Sequence, residues 1–167
     1  RGRGTSLNPG NRFKPVEIIP EPEALEEAAI ARASGDTDAT ELFPSPKTRF
    51  YDDNTKTIIS YNDSPDIGMG ASLNPYRGCE HGCIYCYARP YHEYFGLSAG
   101  VDFESRIFVK RNAAQLLRKE LMRKSWEPQP LMFAGVTDIY QPAERVFGVT
   151  RACLEVLAEF RNPVGMI

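Results

Sequence analysis

The sequence predicts an α/β fold with a parallel sheet or barrel, preceded by an irregular N-terminal extension. Three apolar runs of strand length, at 107–109, 131–136 and 164–167, alternate with two segments whose apolar residues follow the helical period. This order is typical of parallel sheets, in which each helix returns the chain across the sheet. The first 45 residues lack such periodicity, although the 42% apolar and 25% charged content is that of an ordinary globular protein.

Residues 1–47 are predicted to form a flexible or surface-wrapping extension. Four glycine and proline residues between positions 2 and 10 interrupt regular structure. An acidic, alanine-rich stretch at 21–34 can form a short helix, but its apolar stripe is thin and gives it little surface to pack.

Residues 48–78 are predicted to form a β-hairpin and the segment that leads into a cysteine-rich loop. The strand-like runs Arg49–Tyr51 and Thr57–Tyr61 flank the polar residues 52–54, which suit a turn. A short extended segment is expected at 71–76, immediately before the cysteines.

Residues 79–167 carry the alternating elements. Ile107–Val109 is predicted to be a strand, and Asn112 with Gln115 has the spacing of a capping box at the start of a helix. Leu131–Val136 is a continuous apolar run of the buried-strand type. Apolar residues at helical spacing indicate the two helices: Ala113, Leu116, Leu117 and Leu121 in the first, and Val146, Val149, Cys153, Val156, Leu157 and Phe160 in the second.

Charge and hydropathy narrow the class of protein. The formal net charge of −2 provides no overall attraction to nucleic acid. The sequence has no run of 18 or more apolar residues and no charged-then-apolar leader at its start, which predicts a cytosolic protein. The apolar run 164–167 stops abruptly and the first residue is not Met, so we expect the chain to be part of a longer protein.

Three of the four cysteines lie within eight positions, with C-x3-C-x2-C spacing. Cys79, Cys83 and Cys86 can place three thiolates around one inorganic centre, and Gly78 and Gly82 allow the backbone to bend closely around it. Three protein ligands leave one metal position open, which is the arrangement of a reactive site.

Other interpretations of these residues remain open. Zinc could be bound with His81 or His92 as the fourth ligand, but structural zinc sites usually draw a second pair of ligands from a separate loop. Cys153 lies in the apolar stripe of its helix and is predicted to be a core cysteine. The aromatic residues of 76–95 can either shield the site or stack on nucleic-acid bases.

The residues around the cysteines resemble the radical S-adenosylmethionine (SAM) superfamily, whose signature is C-x3-C-x2-C with an aromatic residue before the last cysteine. The strings Ser72–Cys79, Cys86–Arg89 and Thr137–Glu144 are similar to the subfamily related to spore photoproduct lyase, often labelled DNA-repair photolyase-like. The resemblance covers residues 48–167. It implies a partial (βα) barrel of the radical SAM type, truncated after about two βα units.

The resemblance also implies an enzyme with a [4Fe–4S] cluster on Cys79, Cys83 and Cys86. An electron from an external donor would cleave bound SAM to a 5′-deoxyadenosyl radical, which abstracts hydrogen from an unknown substrate in a lyase-like reaction. Nucleic acid is one candidate substrate or partner, which the net charge of −2 does not support. Two other classes stay open: an iron–sulfur electron carrier, and an iron–sulfur or zinc-containing nucleic-acid-binding module without radical chemistry.

The same resemblance suggests residues that contact SAM. Tyr85 is placed like the family residue that contacts the adenine, with loop packing as the alternative role. Thr137 and Asp138 follow the predicted 131–136 strand and would contact the SAM amino group, with helix capping as the alternative. Val136 stands where spore photoproduct lyases carry their hydrogen-donating cysteine, so repair of thymine dimers is not implied.

Overall fold

The structure is a computed structural model that describes residues 5, 7–13, 47–63 and 70–166. It is a mixed α/β fold with two mixed β-sheets. The helix predicted within 21–34 lies outside the described residues. Within them, no helix combines the length and the apolar character that crossing a bilayer requires.

The described strands form two open sheets. In chain order they are β1 (Arg49–Asp52), β2 (Ile59–Tyr61), β3 (Ala71–Leu73), β4 (Tyr76–Arg77), β5 (Arg106–Val109), β6 (Leu131–Phe133) and β7 (Val164–Met166). The first sheet has the strand order β1-β5-β4, and the second has the order β2-β3-β6-β7.

A 3-10 helix and several α-helices connect the strands. The 3-10 helix spans Arg89–Phe95, and the α-helices are α1 (Val101–Ser105), α2 (Ala113–Leu121), α3 (Glu144–Phe147) and α4 (Val149–Glu159). Helices α2 and α4 pack against each other. Leu117 of α2 and Leu157 of α4 are buried in the main hydrophobic core, together with residues from both sheets.

The predicted hairpin at 49–61 is wrong. β1 runs parallel to β5, whereas β2 runs antiparallel to β3, where Ile59 lies opposite Leu73. The pairing of β1 with β5 extends one residue beyond β1, where the Asp53 N–H donates to the Val109 carbonyl at 3.0 Å. Ile59 and Leu73 are both buried. Burial of cross-strand neighbours therefore outweighed the local turn signal.

The parallel neighbours of the second sheet are β3, β6 and β7, in that order. The predicted strand at 107–109 exists as β5, but it lies in the first sheet and does not begin the parallel set. That position belongs to β3 (Ala71–Leu73), which precedes β4 and the cysteine loop. Alternation of elements in the sequence does not specify which strands a crossover joins, because register and neighbour choice depend on long-range packing.

Both predicted helical segments are present, with two corrections. Asn112 occupies the N-cap of α2, but its side chain makes no capping hydrogen bond, so the capping box is not formed. The second segment is divided at Gly148, whose φ of +61° separates α3 from α4. The Glu144 carboxylate accepts hydrogen bonds from the backbone N–H groups of Thr150 and Arg151 at 2.9 and 3.0 Å and caps the start of α4.

Residues 7–13 lie against the 3-10 helix. The Asn11 side-chain amide donates to the backbone carbonyls of Glu93 and Leu97 at 2.9 and 2.8 Å. Arg12 forms an ion pair with Glu93, with 2.6 Å between Nε and Oε2. This part of the N-terminal segment therefore wraps the surface of the domain.

Cys153 of α4 is fully buried in the main core, which confirms its prediction as a core cysteine. Burial raises the pKa of its thiol to about 12. The thiol is therefore neutral at physiological pH and contributes to packing as a small apolar group.

Candidate metal and cofactor site

Cys79, Cys83 and Cys86 lie on one loop directly after β4. Cys79 is buried, Cys86 is half-buried and Cys83 is exposed, and all three thiols are free. Two backbone hydrogen bonds shape the loop: the Gly82 N–H donates to the Cys79 carbonyl at 3.3 Å, and the Cys86 N–H donates to the Cys83 carbonyl at 3.1 Å. The loop thus presents three unbridged sulfurs at different depths.

The surroundings of Cys79 contain groups that favour a thiolate. Burial raises the pKa of the Cys79 thiol, and the backbone N–H groups of Asp138 and His81, which hydrogen-bond the sulfur, offset only part of this increase. A bound metal would deprotonate the thiol outright. Hydrogen bonds to sulfur are one of the means by which proteins adjust iron–sulfur clusters. The residues around Cys79 therefore fit a cluster ligand.

Among residues 5, 7–13, 47–63 and 70–166, no three His, Cys, Asp or Glu side chains are grouped to hold a single metal ion. A [4Fe–4S] cubane binds each cysteine sulfur at a different iron, so its ligands surround a larger space than those of one ion. The two histidines weighed as zinc ligands have other contacts. His81 Nε2 lies 3.3 Å from Asp138 Oδ2. His92 Nε2 lies 2.9 Å from the Arg106 carbonyl oxygen.

Arg89 connects the cysteine loop to the rest of the fold. Its guanidinium donates from Nη2 to the Gly82 carbonyl at 2.8 Å and from Nε to the Cys83 carbonyl at 2.9 Å. It also donates to the Gly100 carbonyl at 3.0 Å and to the Glu104 carboxylate at 2.5 Å. Glu104 is fully buried and Arg89 nearly so. One buried cation therefore satisfies the carbonyls of the loop and balances a buried carboxylate.

The segment after β6 supports the other side of the loop. The Thr137 hydroxyl donates to the Gly78 carbonyl at 2.7 Å. The Gln141 side-chain amide donates to the same carbonyl at 3.2 Å and to the Thr137 hydroxyl oxygen at 2.8 Å, and its carbonyl accepts from the Glu80 N–H at 3.1 Å. The loop is therefore held from both sides by hydrogen bonds.

A cavity of about 750 Å³ borders the loop. Gly78 and Tyr87, which flank the three cysteines in sequence, both line it. The volume lies in the range of small-molecule and cofactor sites. Much of the lining is aromatic: Tyr61, Tyr87, Tyr91, Tyr94, Phe95 and Phe103.

The chain after β6 takes a strained path along this cavity. The strand predicted over 131–136 ends at Phe133, and Ala134 follows with φ of +80°. A left-handed conformation is unfavourable for alanine, and such strain is often found at functional sites. The turn places Gly135 and Val136 in the cavity lining. The physical reason for the shorter strand is this change in backbone direction.

The three predicted SAM contacts lie in different surroundings. Thr137 and Asp138 lie beside the cysteine loop. The Thr137 hydroxyl donates to the Gly78 carbonyl, and the Asp138 N–H hydrogen-bonds the Cys79 sulfur. Tyr85 is 86% exposed and is not part of the cavity lining. The nearby Tyr87 does line the cavity, and its hydroxyl donates to a backbone carbonyl of the Ala134 turn.

The sequence did not predict that three polar residues of the site, Arg89, His92 and Lys110, are buried. Charged side chains are ordinarily exposed, and their burial here depends on partners distant in the chain. The available signal for Arg89 was its place directly after Cys86-Tyr87-Ala88. The sequence suggests His92 only as a zinc ligand, and it places Lys110 among charged residues of the kind that usually face solvent.

Replacing Gly78 with alanine is expected to destabilise the fold. Its φ of +80° is left-handed, and an added Cβ would lie 2.8 Å from both His92 Cε1 and the Phe103 carbonyl oxygen. We expect a loss of about 3 kcal/mol in the free energy of unfolding, from backbone strain of about 1–2 kcal/mol and overpacking of about 1–3 kcal/mol. Urea unfolding, followed by the fluorescence of Trp126, measures this loss of stability.

Gly10→Ala is the matched control, because an added Cβ at Gly10 meets no atom within 4 Å. Its effect should stay within about 0.5 kcal/mol. Equal unfolding midpoints for the two variants would show that the tight contacts of Gly78 do not constrain the loop.

Comparisons with known proteins give relatives without an assigned activity. No family model matches the chain, and no solved structure matches it. The chain is 40% identical over 96 residues to uncharacterized proteins of Mycobacterium tuberculosis and Mycobacterium bovis, over 58% of this chain and 28% of each relative. It is 29% identical over 83 residues to an uncharacterized protein of Methanocaldococcus jannaschii, over 50% of this chain and 29% of the relative. The chain thus spans less than a third of the curated relatives that it matches.

Proposed function

We propose that the chain is part of a radical SAM enzyme, in which Cys79, Cys83 and Cys86 ligate a [4Fe–4S] cluster. The observation that carries the proposal is a loop of three free thiols, which is held on both sides by hydrogen bonds and whose flanking residues Gly78 and Tyr87 line a cofactor-sized cavity. When bound, the cluster and SAM would supply a 5′-deoxyadenosyl radical that abstracts hydrogen from a substrate whose identity is open.

The supporting residues act by holding the loop in place. Arg89 binds the carbonyls between the cysteines, while Thr137 and Gln141 bind the carbonyl of Gly78 just before them. A loop that is already ordered loses less conformational entropy when it binds a metal centre. These hydrogen bonds therefore support the proposal that the sulfurs are metal ligands.

The proposed contacts to SAM differ in how well the local structure supports them. Asp138 is favoured for the SAM amino group, because its carboxylate is 45% exposed next to the loop and can accept further hydrogen bonds besides its contacts with the Tyr140 N–H and His81. The Thr137 hydroxyl is already bonded to Gly78 and Gln141, so we propose that Thr137 positions the loop. Tyr85 remains the proposed adenine contact, and its exposed ring can cover a bound ligand.

The two sides of the loop have different proposed roles. Cys83 is exposed, so an external electron donor can approach the centre from that side. The aromatic lining of the cavity would exclude water from the reacting groups. Val136 lines the cavity where spore photoproduct lyases carry a hydrogen-donating cysteine, so we propose a reaction other than thymine-dimer repair.

Anaerobic reconstitution with iron and sulfide tests the proposal, carried out on the longest natural protein that contains this chain. We expect about four irons and four sulfides for each set of three cysteines. Reduction with dithionite in the presence of SAM should then give 5′-deoxyadenosine, detected by liquid chromatography and mass spectrometry.

Three outcomes would contradict the proposal. Stoichiometric zinc without sulfide would indicate a structural metal site. A cluster that accepts electrons but gives no 5′-deoxyadenosine would indicate an electron carrier. Binding of nucleic acid that depends on the metal but not on SAM would favour a nucleic-acid-binding module.

A further inference from the structure

The cavity beside the cysteine loop contains a buried lysine without a direct partner. Lys110 follows β5, lines the cavity and is only 6% exposed. No described residue gives its side chain a hydrogen bond or an ion pair. Lysine side chains are almost never buried this completely unless they are paired, because an isolated charge is costly to remove from water.

The charges near Lys110 leave one positive charge in excess. Burial and the Arg77 cation lower the pKa of Lys110 to about 8, and the nearby Asp53 carboxylate acts in the opposite direction. Lys110 is therefore still mostly protonated at neutral pH. The Asp53 carboxylate is already bonded to Arg77, with 2.5 Å between Oδ2 and Nε. A single carboxylate thus faces two cations.

Arg77 has hydrogen-bond donors to spare at this place. Its guanidinium lies over the Phe95 ring, 4.7 Å from the centroid, and its Nε is the atom bonded to Asp53. The terminal nitrogens make no hydrogen bond within the described part of the chain. Arg77 also lines the cavity. A guanidinium presents paired N–H groups that match two oxygens of a carboxylate or a phosphate.

We propose that Arg77 and Lys110 form an anion subsite in this cavity, which binds the phosphate or carboxylate group of a ligand. The anion would supply the missing negative charge and accept hydrogen bonds from both side chains. The subsite requires neither the cluster nor SAM, so its failure and the failure of the proposed function are distinguishable.

Calorimetric titration of the full, cluster-free chain tests this proposal, with inorganic phosphate and acetate as separate probes. Lys110→Met should weaken binding of the preferred anion at least about tenfold, as expected for the loss of a charge-assisted hydrogen bond. Lys119→Met is the matched control, because this substitution removes the same charge from a side chain that is exposed on α2. Tighter binding of phosphate indicates a phosphate ligand, and tighter binding of acetate indicates a carboxylate.

A purely structural lysine would behave differently. Lys110→Met would then lower the urea midpoint and leave the affinity for anions unchanged. If Lys110 instead binds a ligand, the same substitution should cause little loss of stability. If Lys110→Met does not fold, the wild-type chain decides the question. Phosphate or acetate should slow the acetylation of Lys110 by acetic anhydride, with no change at Lys119, as read by peptide mass spectrometry.

Two results would overturn the proposal. One is the absence of binding by either anion to the wild-type chain. The other is an equal affinity of wild type and Lys110→Met, or an acetylation rate at Lys110 that neither anion changes.

Discussion

Cys83→Ala is expected to abolish assembly of the proposed iron–sulfur cluster. With one of three thiolates removed, two protein ligands remain, which is too few to retain a cubane against loss of iron. The loop itself should stay folded, because Arg89 binds the backbone carbonyl of Cys83 and not its side chain. Iron and sulfide analysis after anaerobic reconstitution, together with the visible absorption of the protein, measures the loss.

Cys153→Ala is the control for this variant, because it makes the same chemical change in the hydrophobic core. Cys153 is fully buried on α4 and distant in sequence from the loop. The control should retain a full complement of iron and sulfide, with a modest loss of stability from the smaller side chain. A Cys83→Ala protein that still assembles a complete cluster would contradict the assignment of the ligands.

Arg89→Met is expected to produce a large loss of stability. The substitution removes the cation that faces the buried Glu104 carboxylate and leaves the carbonyls of Gly82 and Cys83 without their donor. Breaking a buried charge pair on one side costs about 3–5 kcal/mol, because the remaining charge stays in a medium of low polarity. Urea unfolding of the full chain should show this loss in the free energy of unfolding.

Arg151→Met tests whether loss of an arginine charge alone explains the effect. Arg151 pairs with Glu155 on the exposed face of α4, with 3.1 Å between Nε and Oε1. Exposed pairs of this kind contribute about 0.3–0.5 kcal/mol. Similar losses for the two arginine variants would mean that the buried network around Arg89 does not hold the loop.

The elements of the fold were predictable where a local pattern is sufficient. The apolar spacing in 113–121 and 146–160 predicted two helices, which the structure contains as α2 and, after the break at Gly148, α4, because a helix buries residues three and four positions apart. The partners of the strands were not predictable in the same way. Arg49–Asp52 pairs with a strand more than 50 residues away, and the polar turn that follows it gave no sign of that pairing.

The candidate site likewise has a part that the sequence predicts and a part that depends on the tertiary structure. The spacing of Cys79, Cys83 and Cys86 predicted that three thiols share one loop, and the structure places these cysteines on a single short loop after β4. The groups that hold the loop come from elsewhere in the chain. Glu104 and Gln141 contribute through contacts that no local pattern encodes.

The sequence by itself determined the loop of three cysteines and the helices that cover the core. These features depend on residues close together in the chain, whose spacing is visible without the fold. Only the tertiary structure decided that Arg89 is buried against Glu104 and that Lys110 and Arg77 face one cavity. The burial and the charge balance of a side chain depend on segments brought together by folding, and these determine what each residue can bind.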